Sequence, residues 1–363
     1  MTKGHEMDKL SAAIKQIRNL DYPLMHKAQD RLDNLTKPIG SLGRLEELAR
    51  LVVGITGKDN PTFTQKVIFT LAADHGVARE KVSAYPQEVT AQMVYNFLSG
   101  QAAINVLARH IRARVVVVDM GIAEKIPNPK SQIPNFKDKK INYGTRNMAK
   151  GPAMTRKEAI KSIEAGMDVL EEELIKGVDI VGTGEMGIGN TTASSAITAV
   201  LTKVPIEDVT GKGTGIDSEA LKNKIRVIKE ALKRNRPDST RPIDVLAKVG
   251  GFEIAGLVGI ILAAASHRIP VVLDGFISGA AGLLAYHIDP RIKRYMIASH
   301  CSAEKGHRVI LRHIGLKPIL DLDLRLGEGT GSALGITIIE AAVKILNQMA
   351  TFQSAGVSGK GQL

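Results

Sequence analysis

With 363 residues the chain is long enough for about two domains, or for one large α/β unit with a smaller appendage. Hydrophobic residues make up 44%, ample for a core, and the single cysteine, Cys301, excludes an intrachain disulfide or a cysteine-rich zinc site. The formal charge of +12 raises nucleic acid as a partner, yet Trp is absent, aromatics are only 4% and no stacking platform is present, so no nucleic acid is expected and the charge reads as solvation plus attraction for anionic substrates.

The opening MTKGHEMDKL carries charges throughout and does not read as a secretory signal. The longest apolar run, 254–265, falls short of the ~20 residues that span a bilayer, so no membrane association is expected and the cytoplasm is the expected location. Residues 7–17 and 45–55 show helical spacing of apolar residues, on either side of the turn-rich KPIGSLG at 37–43. KVIFTLAA, 66–73, predicts a buried strand ending at Asp74, His75 and Gly76. Polar residues just past a strand's carboxyl end are where open α/β sheets place ligands, although a polar turn is the plainer reading. SAYPQEVTAQ, 83–92, opens a helix running toward Arg109, and 114–120 predicts a second strand. The polar, proline-bearing stretch 127–140 has no periodicity and is expected to be a surface excursion; 144–154 reads as loop and 156–176 as helix.

The stretch 178–200, VDIVGTGEMGIGNTTASSAITAV, organises the rest. Val178, Ile180 and Val181 read as a short buried strand, Gly182, Gly184, Gly187 and Gly189 as a tight loop, and Thr191 onward as a helix. Such a junction points backbone N–H groups and a helix dipole at one spot, which suits a phosphate. Gly182, Gly184 and Gly187 fit the dinucleotide pattern GxGxxG, but Glu185 lies where a pyrophosphate would approach. Residues 184–191 approach GxxxxGK[ST], but Asn190 stands in the lysine position. A plain glycine turn is the alternative. Phosphate donors beside one carboxylate suit a substrate with a phosphate at one end and developing positive charge at the other.

Downstream, GKGTG at 211–215 precedes KNKIRVIKEALKRNR, where Ile225, Ile228 and Leu232 predict an amphipathic helix with a basic outer face. An apolar helix rich in small residues is expected over 250–265. A strand over 269–273 ends at Asp274 and Gly275, a Gly/Ala-rich helix runs through 284, and weaker strands fall at 295–298 and 318–322. The tail from Thr351 reads as frayed. Strands alternating with helices predict a mostly parallel sheet with helices on both faces.

His300, Cys301, His307 and His313 lie close enough in sequence to suggest a metal site. His307 and His313, six apart in the helical stretch 303–316, do not share a face, so no metal and no cofactor are expected. In DLDLRLGEGTGSALG, 321–335, Glu328 stands between Gly327 and Gly329 where a helix begins near Ser332. A carboxylate on so approachable a backbone suits contact with substrate, and partial desolvation moves its pKa toward that of a useful general base. Helix capping is the plainer role, open equally to Thr330 or Ser332.

The segments SLGRLEELA (41–49), ADHGV (73–77), SAYPQEVTAQMV (83–94), GEMGIGNTT (184–192), KVGGFEIAGLVG (248–259), LDGFISGAAGL (273–283), SHCSAEKGH (299–307) and RLGEGTGSAL (325–334) together resemble the nicotinate-nucleotide:dimethylbenzimidazole phosphoribosyltransferase family over about 30–345. The resemblance implies a Rossmann-like large α/β domain, 61–335, and a small helical domain from both chain ends, 1–60 with 336–363. It implies a homodimer that transfers the phosphoribosyl group of nicotinate mononucleotide to dimethylbenzimidazole, releasing nicotinate and forming the α-ribazole 5′-phosphate of cobalamin's lower loop. It implies Glu328 as general base and Glu185 as a second carboxylate at the reacting centre. Gly187, Asn190, Thr191 and Lys224 match the phosphate grip, with Gly213 and Gly215 lining it and Asp274 on the ribose side. Ser83, Tyr85, Met93, Met186, Ser302 and Leu326 match the aromatic-base pocket, where Tyr85 and Met93 depart from some relatives and leave the acceptor open among benzimidazoles and other ring bases.

Overall fold

The structure, a computed structural model, describes residues 9–126 and 135–358. Six parallel strands form its centre: β1 (Lys66–Ala73), β2 (Ala113–Gly121), β3 (Phe136–Asp138), β4 (Ile180–Met186), β5 (Val271–Leu273) and β6 (Met296–Ala298), in spatial order 3-2-1-4-5-6. The chain builds outward from β1 to β3, returns, and builds the other way from β4 to β6. That reversal leaves a crevice beyond the carboxyl ends of β1 and β4, where open α/β sheets bind ligands.

β1 is buried at every position, as an apolar run covered on both faces should be. Val67, Phe69 and Leu71 join one apolar layer, and Ile68 and Ala72 the other. The first layer holds the helices Arg156–Leu174, Asn190–Thr202, Phe252–Ser266 and Phe276–Ile288. Phe252–Ser266 is buried nearly all round, and the backbones of Gly166 and Gly256 meet where it crosses Arg156–Leu174. The second layer holds Arg44–Thr56, Val89–Leu98, Ala103–His110 and Thr330–Gln348.

Helices from the first 60 residues and from the stretch after 329 meet in that second layer. Tyr22–Asp33 packs on Arg44–Thr56, which packs on Thr330–Gln348. Ile336, Ile339, Val343 and Leu346 of the last helix are fully buried, and each contributes ~1.5–3 kcal/mol of burial free energy. Side-chain caps fix several helix starts: Asp21 accepts from the Leu24 N–H, Asp217 from Ala220, and Thr155 forms a reciprocal box with Glu158. Among the described residues no helix is long and apolar enough to cross a membrane.

Several local expectations change. Of the stretch expected as a surface excursion, 127–134 lies outside the described residues, and Phe136–Asp138 is an edge strand, because β2 offers it a free backbone edge that needs no apolar pattern. The helix expected to run to Arg109 breaks at Gly100, φ +76°, into Val89–Leu98 and Ala103–His110. The weak strand at 318–322 is only a bridge from Leu320 to His300. Thr351 bridges Leu35 and caps a short helix, Phe352–Ala355, so the tail is anchored that far.

Gly182 and Gly184 also lie within β4 rather than in a loop. They are glycines because the start of Thr330–Gln348 crosses them. A Cβ on Gly182 would stand 3.0 Å from the Ser332 Cβ, and one on Gly184 would stand 2.6 Å from the Gly329 nitrogen.

Candidate active site

β4 ends at Met186 and the chain turns through Gly187 and Gly189 into the helix Asn190–Thr202. Gly187 packs against the Ala73 carbonyl at the end of β1, and Gly189 takes φ +95° as the helix cap, so the turn is built at the sheet's switch point.

Beyond this turn lies a cavity of about 310 Å³. Of the residues singled out by sequence, Tyr85, Glu185, Met186, Gly187, Asn190, Thr191, Gly213, Ser302 and Leu326 line it. A wider hollow of about 470 Å³ at the amino-terminal end of β2, beside Phe97, Arg109 and Val115, has no carboxylate or histidine in its wall.

One corner of the cavity suits an anion. Lys224 Nζ donates to Thr191 Oγ1 at 2.7 Å, and Gly213 lies so close to both that a Cβ there would meet each of them. Lys224 belongs to Ser218–Asn235, whose buried stripe is Lys224, Val227, Ile228, Ala231 and Asn235, so it sits on the inner face of the basic helix and is fully buried. Burial pulls its pKa down to about 8, with Glu304 opposing. Glu304 Oε1 accepts from the Gly213 N–H at 2.8 Å, and Arg325 donates to the Gly213 carbonyl at 3.2 Å.

Behind the Glu185 wall lies a group of carboxylates. Glu185, Glu253, Asp274 and Glu328 are all buried. Burial pushes Glu185 well above the ordinary glutamate range, the charges of Asp274, Glu253 and Glu328 add to that, and the hydrogen bond donated by Asn190 opposes it. Burial raises Glu328 as well, and Asp274 raises it further, against the Ile104 N–H donating to its Oε2. Glu253 is paired with the His75 ring at 2.6 Å. Burial opposes a charge on that ring, but the charge and hydrogen bond of Glu253, with the charge of Asp74 behind them, outweigh it and hold His75 above the ordinary imidazole range.

Glu328 is outside the wall of the cavity, one residue beyond Gly327, and its carboxylate lies at the start of Ala103–His110. Its backbone is in the left-handed region at φ +65°, between Gly327 at +86° and Gly329 at +100°. A non-glycine residue there is about 1–2 kcal/mol strained. The Glu328 N–H donates to the Glu185 carbonyl at 3.2 Å, and Gly327 packs on the Glu185 carboxyl, so the two glutamates belong to one unit.

Asp274 is buried with its carboxylate turned to the backbone N–H groups of Gly329, Gly331 and Ser332. Ser83 bonds Thr214 at 3.1 Å on the rim, Met93 and Met186 pack on the second apolar layer, and Gly215, φ +99°, has open space around it. Sequence reasoning passed over His300, Glu304, Arg325 and Thr214 as cavity residues, although Glu304 and Arg325 stand inside quoted segments beside Ser302 and Leu326. Among the described residues no three His, Cys, Asp or Glu side chains are placed to hold a metal ion.

A phosphoribosyltransferase family model matches residues 17–357. Nicotinate-nucleotide–dimethylbenzimidazole phosphoribosyltransferase of Desulforudis audaxviator is 57% identical over 97% of this chain and 99% of its own length, and the protein of that name from Geobacter sulfurreducens is 56% identical over the same shares. The crystal structure of the Thermus thermophilus protein of that name superposes with a TM-score of 0.87 at 43% identity, covering 94% of this chain and 100% of that one. A parallel sheet with its crevice at the β1/β4 reversal, a cavity there with a buried lysine and a group of buried carboxylates around it, and likeness over nearly the full length converge: the chain belongs to the nicotinate-nucleotide:dimethylbenzimidazole phosphoribosyltransferase family.

Proposed function

We propose that this chain transfers the phosphoribosyl group of nicotinate mononucleotide to dimethylbenzimidazole, giving nicotinate and α-ribazole 5′-phosphate for the lower loop of cobalamin, with Glu328 as general base. The observation that carries the proposal is the charge imbalance. Glu185 of the cavity wall is backed by the buried carboxylates of Glu253, Asp274 and Glu328, with His75 paired to Glu253, while at Thr191 the buried Lys224 is balanced by Glu304 alone. A ligand that is anionic at its phosphate and cationic at its ring complements both.

The phosphate sits at Thr191, Gly213 and Lys224, and the ribose spans toward Glu185. As the C1′–N bond of the pyridinium nucleotide breaks, the departing ring takes the bonding electrons and leaves as neutral pyridine, so it needs no general acid. Positive charge that develops on the ribosyl carbon beside the Glu185 carboxyl favours its ionised form, against the burial that raises its pKa, and is stabilised by it. The benzimidazole nitrogen attacks C1′, becomes cationic, and passes the N–H proton of its other nitrogen to Glu328, whose raised proton affinity suits it to accept. Met186 presents an apolar wall to the acceptor ring, Met93 packs on the same apolar layer outside that wall, and Tyr85 and Leu326 stand exposed where they can close over the ring. The chain ends form the smaller helical unit, and the working assembly is a homodimer, which a sedimentation mass of one chain would remove.

The test incubates the protein with both substrates and follows nicotinate and the new nucleotide by chromatography. Equal release and formation, with Glu328→Gln slowed about 10²–10⁴-fold, is the expected outcome. Nucleotide binding without turnover, for this acceptor and for other ring bases, would leave a binding protein instead.

A further inference from the structure

Three consecutive residues, Gly327, Glu328 and Gly329, hold positive φ at the head of Thr330–Gln348. Such a run persists only when its surroundings fix it. The strongest partner is Asp274, just past β5. Its Oδ2 accepts from the Gly329 N–H at 3.0 Å, and its Oδ1 accepts from Gly331 at 2.7 Å and Ser332 at 3.3 Å. Thr70 of β1 completes the clamp, donating its hydroxyl to the Glu328 carbonyl at 2.9 Å. Asp274 is 1% exposed, and His300 Nε2 lies 3.7 Å from its Oδ1. Its oxygens are thus directed at the loop and the helix start, not at the cavity.

Resting on Glu328 as the base, we infer that Asp274 is a positioning residue: its carboxylate clamps the left-handed run 327–329 from below and holds the Glu328 side chain where the acceptor's proton arrives. This role acts through Glu328 and is separate from the ribose-side contact that the resemblance implies. An amide in its place has one acceptor oxygen for N–H groups that now meet two, and its NH₂ faces a donor. The loop then relaxes, and a displacement of about 1 Å at the reacting group lowers turnover about 100-fold.

The groups facing Glu328 are Asp274 beyond β5, Glu185 on β4 and the Ile104 N–H of Ala103–His110. Removing the Asp274 charge therefore also moves the acid limb of the kcat profile to lower pH, which a purely structural defect would not do.

The experiment is a double-substitution cycle on the full chain with Asp274→Asn and Glu328→Gln, reading kcat, the nucleotide KM and the pH profile. Asp274→Asn alone should lose about 100-fold in kcat with KM within about threefold, and should lose nothing further in the Glu328→Gln background. Equal losses in both backgrounds, or a raised KM at retained kcat, overturn the positioning role. Thr70→Val keeps the side-chain volume and carries the same cycle if Asp274→Asn does not fold. If Glu328→Gln alone turns over normally, the general-base reading fails; if it is slow and the Asp274→Asn loss persists in it, only the positioning role fails.

Discussion

Gly184→Ala is the most direct probe of how the fold holds the loop that carries Glu328. Gly184 pairs with Thr70 across β1 and β4, and its missing side chain is filled by the Glu328–Gly329 backbone. A Cβ there would lie 2.5 Å from the Glu328 carbonyl carbon and 2.6 Å from the Gly329 nitrogen, against an ordinary carbon–carbon separation of about 3.5 Å. Backbone, unlike a flexible side-chain end, yields only by moving the whole left-handed run, by about 1 Å. Overpacking of this kind is destabilising by about 3 kcal/mol. With ~2.1 cal/mol/K per residue over 363 residues, the unfolding entropy is about 0.8 kcal/mol/K, so the melting point falls about 4 °C. The same 1 Å displaces Glu328 and lowers kcat about 100-fold. Gly182→Ala is the control on the same strand face: its Cβ would meet the Ile68 and Ser332 side chains at 3.0 Å, an approach that side chains relieve, for about 1 kcal/mol and unchanged kcat. Calorimetry with nicotinate-release kinetics reads both effects. Gly184→Ala with wild-type melting and turnover, or Gly182→Ala as damaging to kcat, would refute the reasoning.

On the proposed phosphate grip Lys224, with its pKa at about 8, acts as the ammonium, so the nucleotide's affinity should hold below that pH and fall about tenfold per unit above it; titration calorimetry from about pH 7 to 9.5 checks this, and a flat profile contradicts it. Lys224→Met should weaken binding and flatten the profile. At His75, the raised pKa means that the folded state holds the proton more tightly than the unfolded one. Its pairing with Glu253 therefore contributes stability below about pH 6.5 that is lost as pH rises through the folded pKa. Substituting His75→Phe strands the Glu253 carboxylate and should be destabilising by about 3–5 kcal/mol at about pH 6, with a smaller deficit at about pH 9; urea denaturation giving the same deficit at both would remove the pairing as the cause.

What could be read from sequence is what local patterns encode. KVIFTLAA is β1 because a strand covered on both faces must be apolar throughout, and the residues just past it, with the turn after β4, lie at the crevice that the strand order creates. The parts that escaped are those decided by something distant in the chain. Local pattern alone made Lys224 one more lysine of a basic helix, and only the resemblance set it in a phosphate grip; its helix turns it inward onto Thr191, 33 residues earlier. Gly182 and Gly184 had the spacing of a nucleotide loop, but they are flat strand positions, kept free for a helix that begins at Thr330. Nor does anything near Asp274 announce that its carboxylate belongs to Gly329 and Gly331. A strand's period or a cap residue acts within a turn or two of chain and leaves a local trace. The position of the Glu328 carboxylate is set by a clamp assembled from β1, β4, the end of β5 and the head of the last long helix, and such a clamp exists only once the sheet has put those four segments side by side.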